Sequence, residues 1–149
     1  MKIIVDTNII FSALLNTNGT IGDLLMNSGK AFDFYSCDYM RHEIQNHWKK
    51  LQKISKLSAE ELGDSYFQIA SRIHFINESL IPGEIWQKAI NFTKEVDLDD
   101  TAFVALTIYL KGSLWTGDKE LYNGIKIKGF KRVFNTEELK LYRADHNYR

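Results

Sequence analysis

The chain has 149 residues, 44% of them hydrophobic and 26% charged. That is enough for one domain, residues 1–149, burying roughly 70% of its unfolded surface. Its 19 Lys and Arg balance its 19 Asp and Glu, so no global field draws it to nucleic acid, and any such binding must come from a local patch. The single cysteine, Cys37, excludes an internal disulfide and a cysteine-based zinc cluster, and reads as a small buried hydrophobe in a reducing compartment.

Met1-Lys2 lead directly into an apolar run ended by Asp6, which leaves no room for a signal-peptide core. No apolar run approaches the ~20 residues of a membrane-spanning helix. The expected location is therefore the cytoplasm, with no membrane partner. Ile3-Ile4-Val5 is a β-branched run suited to a strand buried on both faces. Thr7 or Asn8 caps a helix through Leu14, and Thr20 opens a second short one over 21–26. Residues 31–37 read as a strand, with Asp38 capping one long helix over 39–54. Ser58-Ala59-Glu60-Glu61 has capping-box form and starts a helix to about Ala70, making a helical hairpin with the preceding one.

Residues 73–76 are a third strand. Pro82 marks the first turn of a helix carrying Ile85, Ala89 and Phe92 on one face. Asp99 or Asp100 opens a helix that is apolar nearly all round through Leu110, hence packed on both sides. Gly112 ends it, and Ser113-Leu114-Trp115-Thr116 is the fourth strand. Asn123-Gly124 reads as a turn, Arg132-Val133-Phe134 as the last strand, and Asn135-Thr136-Glu137-Glu138 as the start of a final helix, with residues 144–149 frayed. Alternating strands and helices imply an α/β fold with a central parallel sheet of about five strands, flanked by helices, and a site at its carboxyl edge.

Acids crowd that edge. Asp6 follows the first strand, Asp118 follows the fourth, and Asp97, Asp99 and Asp100 gather before the apolar helix. Two carboxylates about 4 Å apart repel by about 4 kcal/mol at an effective dielectric near 20. A group of them needs a divalent ion or raised pKa values. Hard oxygen ligands select Mg²⁺ or Mn²⁺, and the chemistry natural to those ions is phosphodiester hydrolysis.

Val5-Asp6-Thr7-Asn8, Glu43 on the long helix, Asp97-x-x-Asp100 before Phe103-Val104-Ala105-Leu106, and Leu114-Trp115-Thr116-Gly117-Asp118 resemble a PIN domain, the metal-dependent ribonuclease fold (α/β/α) that includes the VapC-type toxins. The resemblance implies that Asp6, Glu43, Asp100 and Asp118 are a catalytic, metal-binding quartet, with Glu43 direct or through water. It makes Asn8 and Thr116 residues that hold the pocket by hydrogen bonds, and Asp97 or Asp99 an outer-sphere acid. It also implies an RNA substrate, an antitoxin partner and a homodimer.

Two other readings compete. A catalytically silent RNA-binding module would keep the fold without the chemistry. A phosphatase of haloacid-dehalogenase type would want Asp-x-Asp, and Asn8 stands where the second acid belongs. Lys126, Lys128, Lys131 and Arg132 form the only dense basic stretch. They are either a solvated hairpin-like loop or a phosphate-tracking lip near Asp118, with Lys119 and Arg41 as further candidates. His42, His47, His74 and His146 show no ligand spacing with the acids.

Overall fold

The computed structural model describes residues 1–147. Five parallel strands form one sheet in the order β3-β2-β1-β4-β5: β1 Lys2–Val5, β2 Asp33–Cys37, β3 Ile73–Ile76, β4 Ser113–Trp115 and β5 Val133–Phe134. Helices flank it in an α/β/α arrangement. The chain builds outward from β1 through β2 to β3, then crosses back to place β4 on the other side of β1. That reversal opens a crevice at the carboxyl ends of β1 and β4, where ligands of open parallel sheets bind.

Between β1 and β2 lie α1 (Thr7–Leu15) and α2 (Thr20–Asn27). Asp6, rather than Thr7 or Asn8, caps α1: its Oδ1 accepts the Ile9 amide at 3.1 Å from an extended backbone, which already places Thr7 and Asn8 inside the helix. After β2 the expected single helix over 39–54 is two, α3 (Tyr39–Asn46) and α4 (Trp48–Ser55). The His47 ring takes up the Glu43 carbonyl at 2.9 Å, its own amide is shared between the Glu43 and Ile44 carbonyls, and its ring packs edge-on against Phe11. A side chain competing for a helical carbonyl favours such a break. Asp38 precedes α3 without a capping bond. Helix α5 (Ala59–Ala70) begins with the expected capping box, Ser58 and Glu61 exchanging bonds of 3.1 Å, and packs with α4 against α1.

The second half is organised by α7 (Thr101–Leu110), whose residues 101–107 are all buried and which packs against β1, β2 and β4. Helix α6 (Gly83–Thr93) lies beside it. The buried Thr93 and Thr101 hydroxyls share a hydrogen bond of 2.7 Å, which pins the start of α7. Lys111 takes the left-handed conformation that ends α7. Gly112 follows because a Cβ there would lie 2.8 Å from the Lys2 carbonyl oxygen.

Asn123-Gly124 is not a turn but lies within α8 (Lys119–Ile127). A Cβ at Gly124 would meet Val96 Cγ2 at 2.5 Å, so that glycine serves a close approach to the chain after α6, not a reversal. Helix α9 (Thr136–Asn147) starts with a box between Asn135 and Glu138 and returns to α2 through Arg143, which donates to Asp23 at 2.8 Å. Residues 144–147 are helical, and 148–149, which share the expectation of fraying, lie outside the described residues.

Candidate metal centre

β1 and β4 are adjacent, with Val5 beside Trp115, so the residues that follow them meet at one edge. One cavity of ≈ 140 Å³ is lined by Asp6, Thr7, Asn8, Glu43, Asp97, Asp99, Asp100, Phe103 and Asp118. All four residues of the expected quartet share it, as do Asn8 and both neighbouring acids.

Asp6 is only 1% exposed. Burial raises its pKa from 3.8 to about 6, with the Thr116 hydroxyl and the Ile9 amide opposing and the Asp118 and Glu43 charges reinforcing. Its Oδ2 is buried and has no hydrogen-bond partner. A buried acceptor left unpaired costs about 1–3 kcal/mol, more when it is charged. Asp100 occupies the N-cap position of α7, yet its side chain makes no capping bond. Burial raises its pKa to about 7, with Asp6, Asp97, Asp118 and Glu43 adding repulsion in that order.

Glu43 is half-buried and held by Thr7, whose Oγ1 donates to Oε1 at 2.6 Å; burial raises its pKa against that bond. Asp118 caps α8, its Oδ1 accepting the Glu120 and Leu121 amides at 2.9 and 3.2 Å, which leaves Oδ2 for other work. The buried Thr116 Oγ1 accepts the Asp118 amide at 3.0 Å, so this hydroxyl orients the backbone that carries Asp118.

Sequence reasoning missed three contributors. Thr7, read as a cap, is the anchor of Glu43. Phe103 forms the apolar floor, and its place on the buried helix concealed a second role. Tyr39 lies in the field of these acids, for its phenol pKa is raised by burial, then by Glu43 and Asp99. The only signal for it was its position just past a strand.

None of the basic candidates lines the acidic cavity. Because β4 and β5 are parallel, α8 carries the chain from the carboxyl edge back to the amino edge before β5 begins. Lys126 closes α8 and donates to the Tyr122 hydroxyl at 2.8 Å. Lys128 pairs with Glu95 at 3.2 Å, and Arg132 donates to the Lys111 carbonyl at 2.9 Å. The stretch is not a hairpin loop, since Lys126 lies within α8 and Lys128 directly follows it. Arg41 lies over the Phe75 ring, 3.9 Å from its centroid, outside the acidic cavity. Lys119 does adjoin the site, lining with Asp118 a second cavity of ≈ 440 Å³ toward α9.

The donor set suits a hard divalent cation: carboxylate oxygens, one of them buried and unpaired, and no soft ligand in the lining. As the side chains stand, no three of them among the described residues close around a single ion.

An α/β/α domain with a carboxylate pocket at its topological switch point is thereby defined. The chain matches the PIN domain family over residues 4–143 and belongs to that family. No curated protein matches it. Among solved structures it resembles a chain of VapBC2 from Rickettsia felis, bound in that crystal to a DNA fragment from its promoter. The TM-score is 0.66 at 17% identity, covering 91% of this chain and 98% of that one.

Proposed function

We propose that this protein is a Mg²⁺- or Mn²⁺-dependent endoribonuclease, the toxin of a toxin–antitoxin pair acting in the cytoplasm. The observation that carries the reading is the unpaired, buried Asp6 Oδ2 in a cavity shared with Glu43, Asp100 and Asp118. When bound there, the ion would supply charge neutralisation and water activation for hydrolysis of a phosphodiester.

The chain's own residues would do the rest. Asp6, Asp100 and Asp118 hold the cation, with Glu43 reaching it directly or through water and Thr7 fixing the Glu43 carboxylate. Thr116 keeps Asp118 in place through its amide, the Ile9 amide holds Asp6, and Asn8 lines the cavity. Asp97 and Asp99, both exposed, tune the field from outside. Phe103 keeps one wall dry. Membership of the PIN family and the fold shared with the VapBC2 chain support an antitoxin as partner, and a homodimer accords with the same likeness.

One observation favours the rival reading of a silent RNA-binding module, namely that no three acids close around an ion as they stand. The experiment that separates the two is Mn²⁺ titration calorimetry, followed by cleavage of a single-stranded RNA with and without chelator. Binding and chelator-sensitive cleavage, both abolished in Asp6→Asn, are expected. A protein that binds RNA but neither Mn²⁺ nor Mg²⁺ is the silent module.

A further inference from the structure

Among the described residues, two buried side-chain oxygens lack a hydrogen-bond partner. One is Asp6 Oδ2, and the other is Glu78 Oε2. Glu78 opens the short 3-10 turn Glu78–Leu80 that follows β3. It lines a separate cavity of ≈ 250 Å³ with Tyr39, Trp86, Leu98 and Asp99. Asp99 lines the acidic cavity as well, so the two adjoin. Their order follows the sheet: the acids sit beyond β4 and β1, Tyr39 beyond β2 and Glu78 beyond β3.

The lining specifies its occupant. Trp86 and Tyr39 are half-buried and offer aromatic faces, and Leu98, 60% exposed, offers an apolar one. Such walls stack a flat heterocycle. Glu78 and Asp99 supply acceptors only and repel phosphate, so the polar edge that enters must carry N–H donors. A carboxylate with an unpaired oxygen is best met by two adjacent donors. Among RNA bases, N1–H and N2–H of guanine provide them. Adenine and cytosine set one amino group beside a ring acceptor, and uracil sets one N–H between two carbonyls. Oε2 is covered by its surroundings, and the carboxylate reaches the base by turning about its terminal torsion, a soft two-fold rotor.

We propose that this cavity is a guanine-selective base pocket, reading one nucleotide of a single-stranded RNA next to the carboxylate centre. It deepens the ribonuclease reading, on which its substrate, though not its base preference, rests.

The test titrates uncharged nucleosides into the full chain without metal and follows the Trp86 indole N–H by NMR. Guanosine should move that signal and bind about tenfold or more tighter than uridine, the difference expected when a hydrogen bond to a charged group is removed. Inosine, which lacks the N2 amine, should fall between them. Glu78→Gln, which turns one acceptor into a donor, should abolish the preference. The guanosine–inosine comparison on the unaltered chain needs no variant to fold. Equal affinities for guanosine and uridine, a response away from Trp86, or a preference surviving in Glu78→Gln would each overturn the pocket.

Cut-site mapping with Mn²⁺ separates this inference from the activity. Base preference with no cleavage keeps the pocket and removes the nuclease, whereas cleavage with no nucleoside preference does the reverse. Guanosine binding together with cuts that ignore guanine would make this a free-nucleoside site and overturn the RNA reading.

Discussion

At the carboxyl edge of the sheet, Asp6 and Asp100 are pushed toward neutrality, first by burial and then by neighbouring carboxylates, Asp118 and Glu43 for Asp6 and chiefly Asp6 for Asp100. Along the stretch from Lys126 to Arg132, by contrast, Lys126, Lys128 and Arg132 are spent on a tyrosine hydroxyl, a glutamate and a carbonyl. None of the three ion pairs among the described residues uses a carboxylate of the acidic cavity. Charge that is internally matched is structure. Charge that is gathered, buried and left unmatched costs stability, and a fold retains it where a ligand supplies the missing partner.

The harshest way to break this comparison is to remove an acid. Asp6→Asn and Asp100→Ala should each lower Mn²⁺-dependent RNA cleavage by about a thousandfold or more, the several kcal/mol that a bound cation contributes. Neither should lower the melting temperature of the metal-free protein, because each relieves repulsion. Activity at the unaltered level in a nuclease-free preparation would place the chemistry elsewhere, and a collapse in melting temperature would make the acids structural.

A second test reads the unmatched charge through pH. The Asp6 carboxyl has its pKa raised to about 6 in the folded chain from 3.8, so between those values the folded state keeps a proton that the unfolded state has released. Stability of the metal-free protein should therefore fall as pH rises from about 4 to about 6, with Asp100 extending the decline to about 7. For Asp6 alone the decline is at most about 3 kcal/mol. Denaturant unfolding at pH 5 and pH 8 in chelator measures it, and Asp6→Asn should flatten the difference. Added Mn²⁺ should reverse the slope, because binding needs the deprotonated acids. A protein more stable at pH 8 than at pH 5 without metal would refute the unmatched site.

How much of this was legible follows from what each signal depends on. The strands and two of the acids announced themselves locally: Asp6 and Asp118 end apolar runs, and sheet topology alone then brings them together, whereas Glu43 and the choice of Asp100 came only with the family resemblance. The basic stretch stayed open between two readings because a run of cations does not say which of them the fold pairs internally, as it does Lys126, Lys128 and Arg132. Gly124 misled because its partner is remote. Asn-Gly is a turn signal when φ is positive, but here the missing Cβ answers to Val96, 28 positions away, which no local pattern reveals. The break at His47 and the Thr7–Glu43 bond are likewise long-range or side-chain effects. Glu78 had no signal at all, since an unpaired oxygen exists only once its neighbours are placed.

Within the acidic edge itself the comparison sharpens between Asp100 and its neighbours. Asp100 is set by the buried start of α7, while Asp97 and Asp99 are exposed, and the Asp97 carboxylate already accepts the Asp99 amide at 2.9 Å. A small octahedral ion demands fixed ligand geometry, and an acid acting from outside its coordination does not. Asp97→Ala and Asp99→Ala should each leave activity within about ten- to a hundredfold of the unaltered chain, with Mn²⁺ binding still measurable by calorimetry. The assignment fails if either variant abolishes binding while Asp100→Ala retains it.

The smallest effect belongs to the basic stretch. If Lys126, Lys128, Lys131 and Arg132 tracked phosphates, neutralising them would reduce the salt slope of RNA binding by nearly one for each phosphate left without its cation. Their placement gives the opposite expectation. None of the four lines the acidic cavity, and three of them already have partners inside the fold. The quadruple Gln variant should therefore bind RNA with a slope changed by less than about one in total. Its stability should change by little as well, because the Lys128–Glu95 pair is largely exposed on the glutamate side, at 72%, and exposed pairs contribute about 0–1 kcal/mol. Lys119→Gln is the matched control, since Lys119 lines the cavity that shares Asp118. That single change should alter the slope as much as the four together. A slope that drops by three or four in the quadruple variant would put the RNA on these cations and dissolve the contrast between matched and unmatched charge.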